Sequence, residues 1–392
     1  MNRRETLSIL ALAGLAVALA PAAALAQAKP PIKLPETVAW TAYDVGSGGY
    51  NQAVAIGTAL KNKLGVNLRV LPGKNDISRT LPVREGKVQF SANGVGGSYL
   101  AQEGMIDFGG KEWGPQPVRS LVLNNSDALL TIVTAKDANI KTMADLKGKR
   151  VAWVVGAPSL NQNITALLAF ANLTWKDVTR VDFPGFGQAM DGIIANQVDA
   201  AFSSTISGQA YKIAASPRGI AYPTLPHGDK AGWARLNKIA PFFIPFNGTE
   251  GAELSKDKPA EAATYPYPVL MSYASADADL VYNMTRAMIE LFDEYKAGAP
   301  GNNGWALERQ RFDWAIPMHD GAIKYFKEIG KWTATLQKHN DGLVKRQKVL
   351  ADAWAATAKS APPDDAAFAK VWMKNRADAL IKAGMEPVLT EW

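Results

Sequence analysis

The run Gly46-Ser47-Gly48-Gly49-Tyr50 has the residue types and spacing to hold an anion. It follows a short apolar stretch at 37–43 and precedes Ala53, Ile56, Gly57 and Leu60, which recur at i, i+3, i+4 and i+7. A strand that turns directly into a helix leaves the first-turn amides unpaired, and the helix dipole adds its positive end to them. A carboxylate or a phosphate suits such a turn. Glycine lets the backbone approach a ligand closely, and the Ser47 and Tyr50 hydroxyls can supply hydrogen bonds. Asn51 stands where the dinucleotide fingerprint needs its third glycine, and no Lys-Ser/Thr pair follows. The turn is therefore not a nucleotide loop of either kind.

The same logic recurs along the chain. Asn75 and Asn93 follow predicted strands in one part, and Ser159, Asn161 and Ser203 follow predicted strands in another. Chemistry that would transform a ligand is not visible. His227, His319 and His339 are the only histidines, too far apart and wrongly spaced for a metal or a Ser-His-Asp relay. His319 reads as a structural hydrogen-bonder and Asp199 as a strand-end or capping residue without a partner acid. The chain has no cysteine, which removes disulfides, thiolate metal sites and a cysteine nucleophile. A binding protein is expected, with no enzyme activity, metal or cofactor.

With 392 residues, 47% of them hydrophobic and 20% charged, the chain can build two sizeable cores. The net charge of +7 is spread without a basic arm, which argues for mild steering of anions and against nucleic-acid binding. Arg3-Arg4, the apolar run Leu7 to Ala20 and the small-x-small site Ala24-Leu25-Ala26 read as a secretory signal peptide over 1–26. Both the ordinary secretory and the twin-arginine routes are compatible with it. After Ala26 no run of about 18 apolar residues occurs, so none is predicted to span a membrane.

Strand, small polar turn and helix alternate from 37 to 99, which predicts a parallel sheet with helices on both faces. Val118–Leu123 and Leu129–Ala135 are extended, and the second suits a crossing into another lobe. A second such unit runs through 143–205, with strands at 151–155, 180–183 and 198–202. The stretch 264–270 suits a return crossing. Val281, Met284, Met288 and Leu291 stripe a core helix. Two α/β lobes with polar strand ends describe a clam, whose cleft is a preferred ligand site.

At this point the residues resemble the TAXI-type solute-binding proteins of TRAP transporters. The resemblance rests on Gly46–Tyr50, Asp145-Leu-Lys-Gly-Lys149, Gly156-Ala-Pro158 and Val198-Asp-Ala-Ala-Phe202. Its most specific part is the closing stretch, Ile316 to Gly330, and it covers roughly 37–330. It implies a two-lobed periplasmic binding-protein fold of type II, each lobe a mostly parallel sheet flanked by helices. The expected lobes are 37–133 with 270–330, and 134–269, followed by a helical C-terminal extension at 331–392. It also implies a periplasmic protein that hands a small organic anion to a sodium-coupled TRAP-type permease, as a monomer or weak dimer. An ATP-driven importer or a membrane sensor kinase is the rival partner.

Three departures separate this sequence from the pattern. The second-lobe turn reads Ser159-Leu-Asn161-Gln-Asn163, the second strand ends in Lys74-Asn75-Asp76, and the chain continues past Gly330 to Trp392. The family's amino-acid-like substrates are therefore not carried over. The expected ligand contacts are Ser47, Gly48, Gly49, Tyr50, Asn75 and Asn93 from the first lobe. Ser159, Asn161 and Ser203 are expected from the second.

Overall fold

The structure, a computed structural model, describes residues 30–360 and 362–390. The expected signal peptide at 1–26 lies outside the described residues. The first element is β1 (Thr37–Ala42), whose Val38, Trp40 and Ala42 are buried. It runs into α1 (Gly48–Leu64), capped by Ser47 and ended by Gly65 in the left-handed region. Next come β2 (Asn67–Pro72), α2 (Asp76–Arg84) and β3 (Phe90–Asn93). A π-helical turn at Gly96–Leu100 leads into the single-turn α3 (Ala101–Glu103), before β4 (Val118–Leu123) and β5 (Leu130–Ala135).

The second half begins with β6 (Arg150–Val154), α4 (Pro158–Phe170) and β7 (Thr179–Phe183). It continues with α5 (Phe186–Ile194), β8 (Ala200–Ser204), α6 (Gly208–Ala215) and β9 (Ile220–Ala221). Then follow α7 (Lys230–Ile239), β10 (Ile244–Gly248), β11 (Ala260–Thr264) and β12 (Val269–Tyr273). The remaining helices are α8 (Ala278–Glu290), α9 (Phe292–Tyr295), α10 (Asp320–Glu328), α11 (Ala334–Ser360) and α12 (Asp365–Lys382).

Two five-stranded sheets organise these elements, in the orders β2-β1-β3-β12-β4 and β7-β6-β8-β5-β9. The sheets are mixed, more so than the strand-helix alternation predicts. β12 lies antiparallel to both β3 and β4, and β5 lies antiparallel to both β8 and β9. The reason is the pair of crossings. Segment 124–129 carries the chain from the first sheet to the second, and 265–268 from a two-stranded β10-β11 sheet back to the first, with no helix between strands. Each crossing delivers its strand at the edge where the neighbouring strands end: Leu130 stands opposite Ser204 at the end of β8, and Val269 opposite Asn93 at the end of β3. The fold class is the expected one, two lobes of α/β type with a helical extension.

Of the expected stripe, Val281, Met284 and Met288 are buried on α8 as ordinary core, and Leu291, just past its end, is partly buried against the same cluster. A second, larger cluster runs without interruption from Tyr43 and Val83 by the first sheet to Phe183, Phe202 and Phe243 by the second. Tyr99 from the π-helical turn meets Phe242 edge-on at 5.6 Å, so aromatic packing joins the halves directly.

The extension has a small core of its own, with Leu350, Phe368, Trp372 and Leu380 packed together. It is fixed to the segment around α3. The Trp372 indole donates to the Gly104 carbonyl at 2.6 Å, and Gln347 donates to Gln102 at 2.9 Å. Glu103, with no exposed side-chain surface, pairs with Arg346 at 2.6 Å and with Arg376 at 2.5 Å. The same two arginines hold the end of the chain, since Arg346 donates to the Glu386 carbonyl and Arg376 to that of Val388.

Candidate anion site between the two sheets

Ser47 ends the turn after β1 and starts α1. Its hydroxyl accepts the Tyr50 amide at 3.2 Å, and Ser47, Gly48 and Gly49 are all buried at this helix start. Gly46 adopts φ +82°, and its carbonyl accepts the Gly208 amide of α6 at 2.9 Å. The starts of α1 and α6 thus face each other across the two halves. Ser207 caps α6 by accepting the Ala210 amide at 3.1 Å, and Ser203 meets the Ser207 hydroxyl at 2.9 Å.

A small cavity of about 40 Å³ lies at this junction. Ser47, Ser159, Ser203, Ser204 and Ser207 line it with hydroxyls, and Gly48 and Gly94 with backbone. Tyr43, Phe186, Phe202, Tyr265 and Tyr267 form aromatic walls, and Val95, Leu130 and Leu160 close the remainder. Four helices begin here. Ser47 and Ser207 cap α1 and α6, Ser159 is in the first turn of α4, and Phe186 is the first residue of α5. The caps of α4 and α5, Ala157 and Gly185, make no side-chain capping bond. Their dipoles bring four partial positive charges toward one space.

Arg79 is the one charged side chain among the described residues of the lining, and it is 2% exposed. Its guanidinium stacks on the Tyr43 ring at 4.0 Å and pairs with Asp76 one turn earlier on α2. Its Nε–H is buried without a partner, and so is the Tyr43 hydroxyl. The other oxygen of Asp76 accepts the Ser159 amide of α4 at 3.1 Å. Burial pushes the Tyr43, Tyr265 and Tyr267 phenols above their ordinary range, and the Arg79 charge opposes this only in part. All three remain neutral at physiological pH and available as hydrogen-bonding groups. Tyr267 is held by Ser47 and the Gly49 amide.

Of the residues expected from sequence, Ser47, Gly48, Ser159 and Ser203 come together in this lining. The others lie outside it. Gly49 backs on Tyr267, where a Cβ would stand 3.1 Å from the hydroxyl. The Tyr50 ring packs on the core beneath α1. Asn75 caps α2 by accepting the Ser78 amide at 2.7 Å. Asn93 is fully buried and accepts the Gly94 amide at 2.9 Å. Asn161 bonds both the amide and the carbonyl of Val154, at 3.0 and 2.8 Å. In each asparagine the side-chain oxygen accepts a neighbouring backbone amide, which is the competing use of that group at strand and helix ends.

Sequence reading missed Arg79 and the tyrosines Tyr43 and Tyr267. A usable signal for Arg79 existed: it lies one turn into the helix opened by Asn75 and Asp76. Among the histidines, His319 caps α10, with Nδ1 accepting the Gly321 amide at 3.1 Å, and burial lowers its pKa. Asp199 is tied to Arg150 at 2.6 Å. Burial raises its pKa, and its hydrogen bonds with Arg150 and Arg218 more than reverse that, leaving it lowered. No acidic or histidine cluster that could hold a metal occurs among the described residues.

Residues 44–330 match the model of the NMT1-like family. The chain belongs to the NMT1-like family. The matched range takes in every lining residue except Tyr43, and it ends with the closing stretch at Gly330. Solved structures with a similar trace include an ancestral arginine-binding protein bound to arginine, 16% identical with a TM-score of 0.41. The match covers 70% of this NMT1-like chain and 97% of that one. The alkanesulfonate-binding protein SsuA from Xanthomonas axonopodis pv. citri, bound to MOPS, is 14% identical with a TM-score of 0.40, covering 83% and 94%. The periplasmic aliphatic sulphonate binding protein SsuA from Escherichia coli is 14% identical with a TM-score of 0.36, covering 90% and 89%.

Proposed function

We propose that this chain is an extracytoplasmic solute-binding protein that captures a small organic anion between its two sheets and delivers it to a membrane permease. The observation that carries the reading is one cavity lined by residues from four helix starts and by Arg79, whose Nε–H is buried and unpartnered. A carboxylate placed there accepts a charge-assisted hydrogen bond and sits in the field of the helix ends. Ser47 and Gly48 hold it from one half, and Ser159 and Ser203 from the other. A ligand that touches both halves favours the closed arrangement over the open one. The cavity offers no acid/base pair, so capture and release are its chemistry. The basic, apolar and small-residue order of 1–26 supports export, and no helix among the described residues is long and apolar enough to cross a membrane.

The permease is the finer part of the reading. The closing stretch Ile316–Gly330, which resembles that of TAXI-type proteins, supports a sodium-coupled TRAP-type partner. An ATP-driven importer is the alternative. Uptake reconstituted with the candidate permease separates them, since a sodium gradient drives the first and ATP the second.

The test of the site is a thermal-shift and calorimetric screen of the purified chain against organic anions. A ligand bound only by the folded state adds about 2.7 kcal/mol at a hundredfold excess over Kd. A rise in melting temperature for one acid class, lost in Arg79→Met, is the expected result. Absence of any shift across the panel, or a shift that survives Arg79→Met, overturns the reading.

A further inference from the structure

The charges around the cavity say more about the ligand than that it is an anion. Among the described residues of the lining, Arg79 is cationic and none is acidic. The nearest carboxylate on α2, Asp76, has one oxygen on Arg79 and the other on the Ser159 amide. Both of its oxygens are already engaged, and it is not among the lining residues. The starts of α1, α4, α5 and α6 all present their positive ends to the same space.

An ammonium group in this position would meet repulsion from the helix ends and from Arg79, and would find no carboxylate. Two of the lining hydroxyls are already engaged, because Ser203 and Ser207 bond each other and Ser203 also bonds the Ser204 carbonyl. Burying an unpaired cation costs several kcal/mol, which is enough to exclude it. A second acid group fares little better, since Arg79 is the one cation among the described residues of the lining and Asp76 already neutralises much of its charge. The rest of the wall is aromatic or aliphatic and suits an apolar body.

Resting on the anion-receptor reading above, we infer that the ligand is a monocarboxylic acid with an apolar body and no ammonium group, and that the site rejects amino acids. The selectivity comes from the missing acid in the lining as much as from the arginine that is present.

Calorimetric titration of the full chain with matched pairs tests this. A series of acids from acetate through 4-methylpentanoate and 3-phenylpropanoate to 5-phenylpentanoate is compared with the corresponding 2-amino acids. Glutarate is added as the dicarboxylate. At the best-bound chain length the plain acid is expected to bind at least 100-fold more tightly than its amino derivative, with glutarate also weak. An amino acid that binds as tightly as its plain acid, or tighter, overturns the inference while leaving the receptor reading intact. A glutarate affinity equal to that of the best monoacid does the same. No binding by any acid or amino acid overturns the receptor reading and this inference together.

Discussion

The Oδ2 atom of Asp76 accepts the backbone N–H of Ser159 at 3.1 Å, joining α2 beside the first sheet to α4 beside the second. Its other oxygen pairs with Arg79. A side-chain carboxylate therefore already occupies one of the four helix starts and bridges the halves in the way proposed for a ligand. Replacing it with alanine leaves Arg79 buried without its counter-ion. Breaking a buried pair from one side costs about 3–5 kcal/mol. Asp76→Ala is expected to lose stability on that scale in chemical denaturation, and saturating acid ligand to restore part of it.

Arg79→Lys keeps the positive charge and gives up the planar stack on Tyr43 and the Nε–H. The two cations are not equivalent where a fork and a stacked plane are used. A hydrogen bond to a charged group contributes roughly 1.5–3 kcal/mol, so the acid should bind on the order of 10- to 100-fold more weakly. Titration calorimetry reads the loss directly.

Glu103 makes the fold sensitive to acid. Burial raises its pKa, while its hydrogen bonds and charge interactions with Arg346 and Arg376 more than reverse this, so it is lowered overall. A carboxylate depressed in the folded state stabilises the fold above its unfolded pKa, about 4.3. That contribution is lost as the pH falls through the lower folded value. Glu103→Gln should therefore be less stable than wild type at neutral pH, with a flatter fall below pH 4. Melting temperature against pH for the two proteins checks both statements.

Gly96 is where backbone must lie against Asp76. A Cβ there would stand 2.1 Å from the Asp76 carboxyl carbon, well inside contact distance. Gly96→Ala should cost about 1–3 kcal/mol by overpacking, and should weaken acid binding by displacing the partner of Arg79. A variant that is destabilised and binds normally would separate the two effects and count against the role given to Asp76.

The parts of this molecule that depend on neighbouring residues are legible in its sequence. Ser47 and Asn75 announce helix starts because a cap needs only the next three residues. The alternation of strand, small turn and helix points to both sheets and to the order of the lobes. The antiparallel strands β5 and β12 do not show in that alternation, because direction within a sheet is set by the route of the connecting segment. Arg79 and Tyr267 meet at one cavity although 188 positions separate them, and nothing in the local pattern of either marks it. Local pattern also misleads for Asn93 and Asn161. An asparagine at a strand end looks like a ligand contact, and its amide is as readily used by its own backbone.

Glu103 and Arg376 lie 273 positions apart, and this imposes an order on the making of the protein. At a synthesis rate of about 5–20 residues per second, Glu103 waits on the order of half a minute for its last arginine. Until then Arg346 alone pairs with it, so the segment around α3 stays unfinished on the nascent chain. A product cut short before α12 carries the same defect permanently and offers an open segment to proteases. Helix α12 thus ties the packing of α3 to residues made 273 positions later.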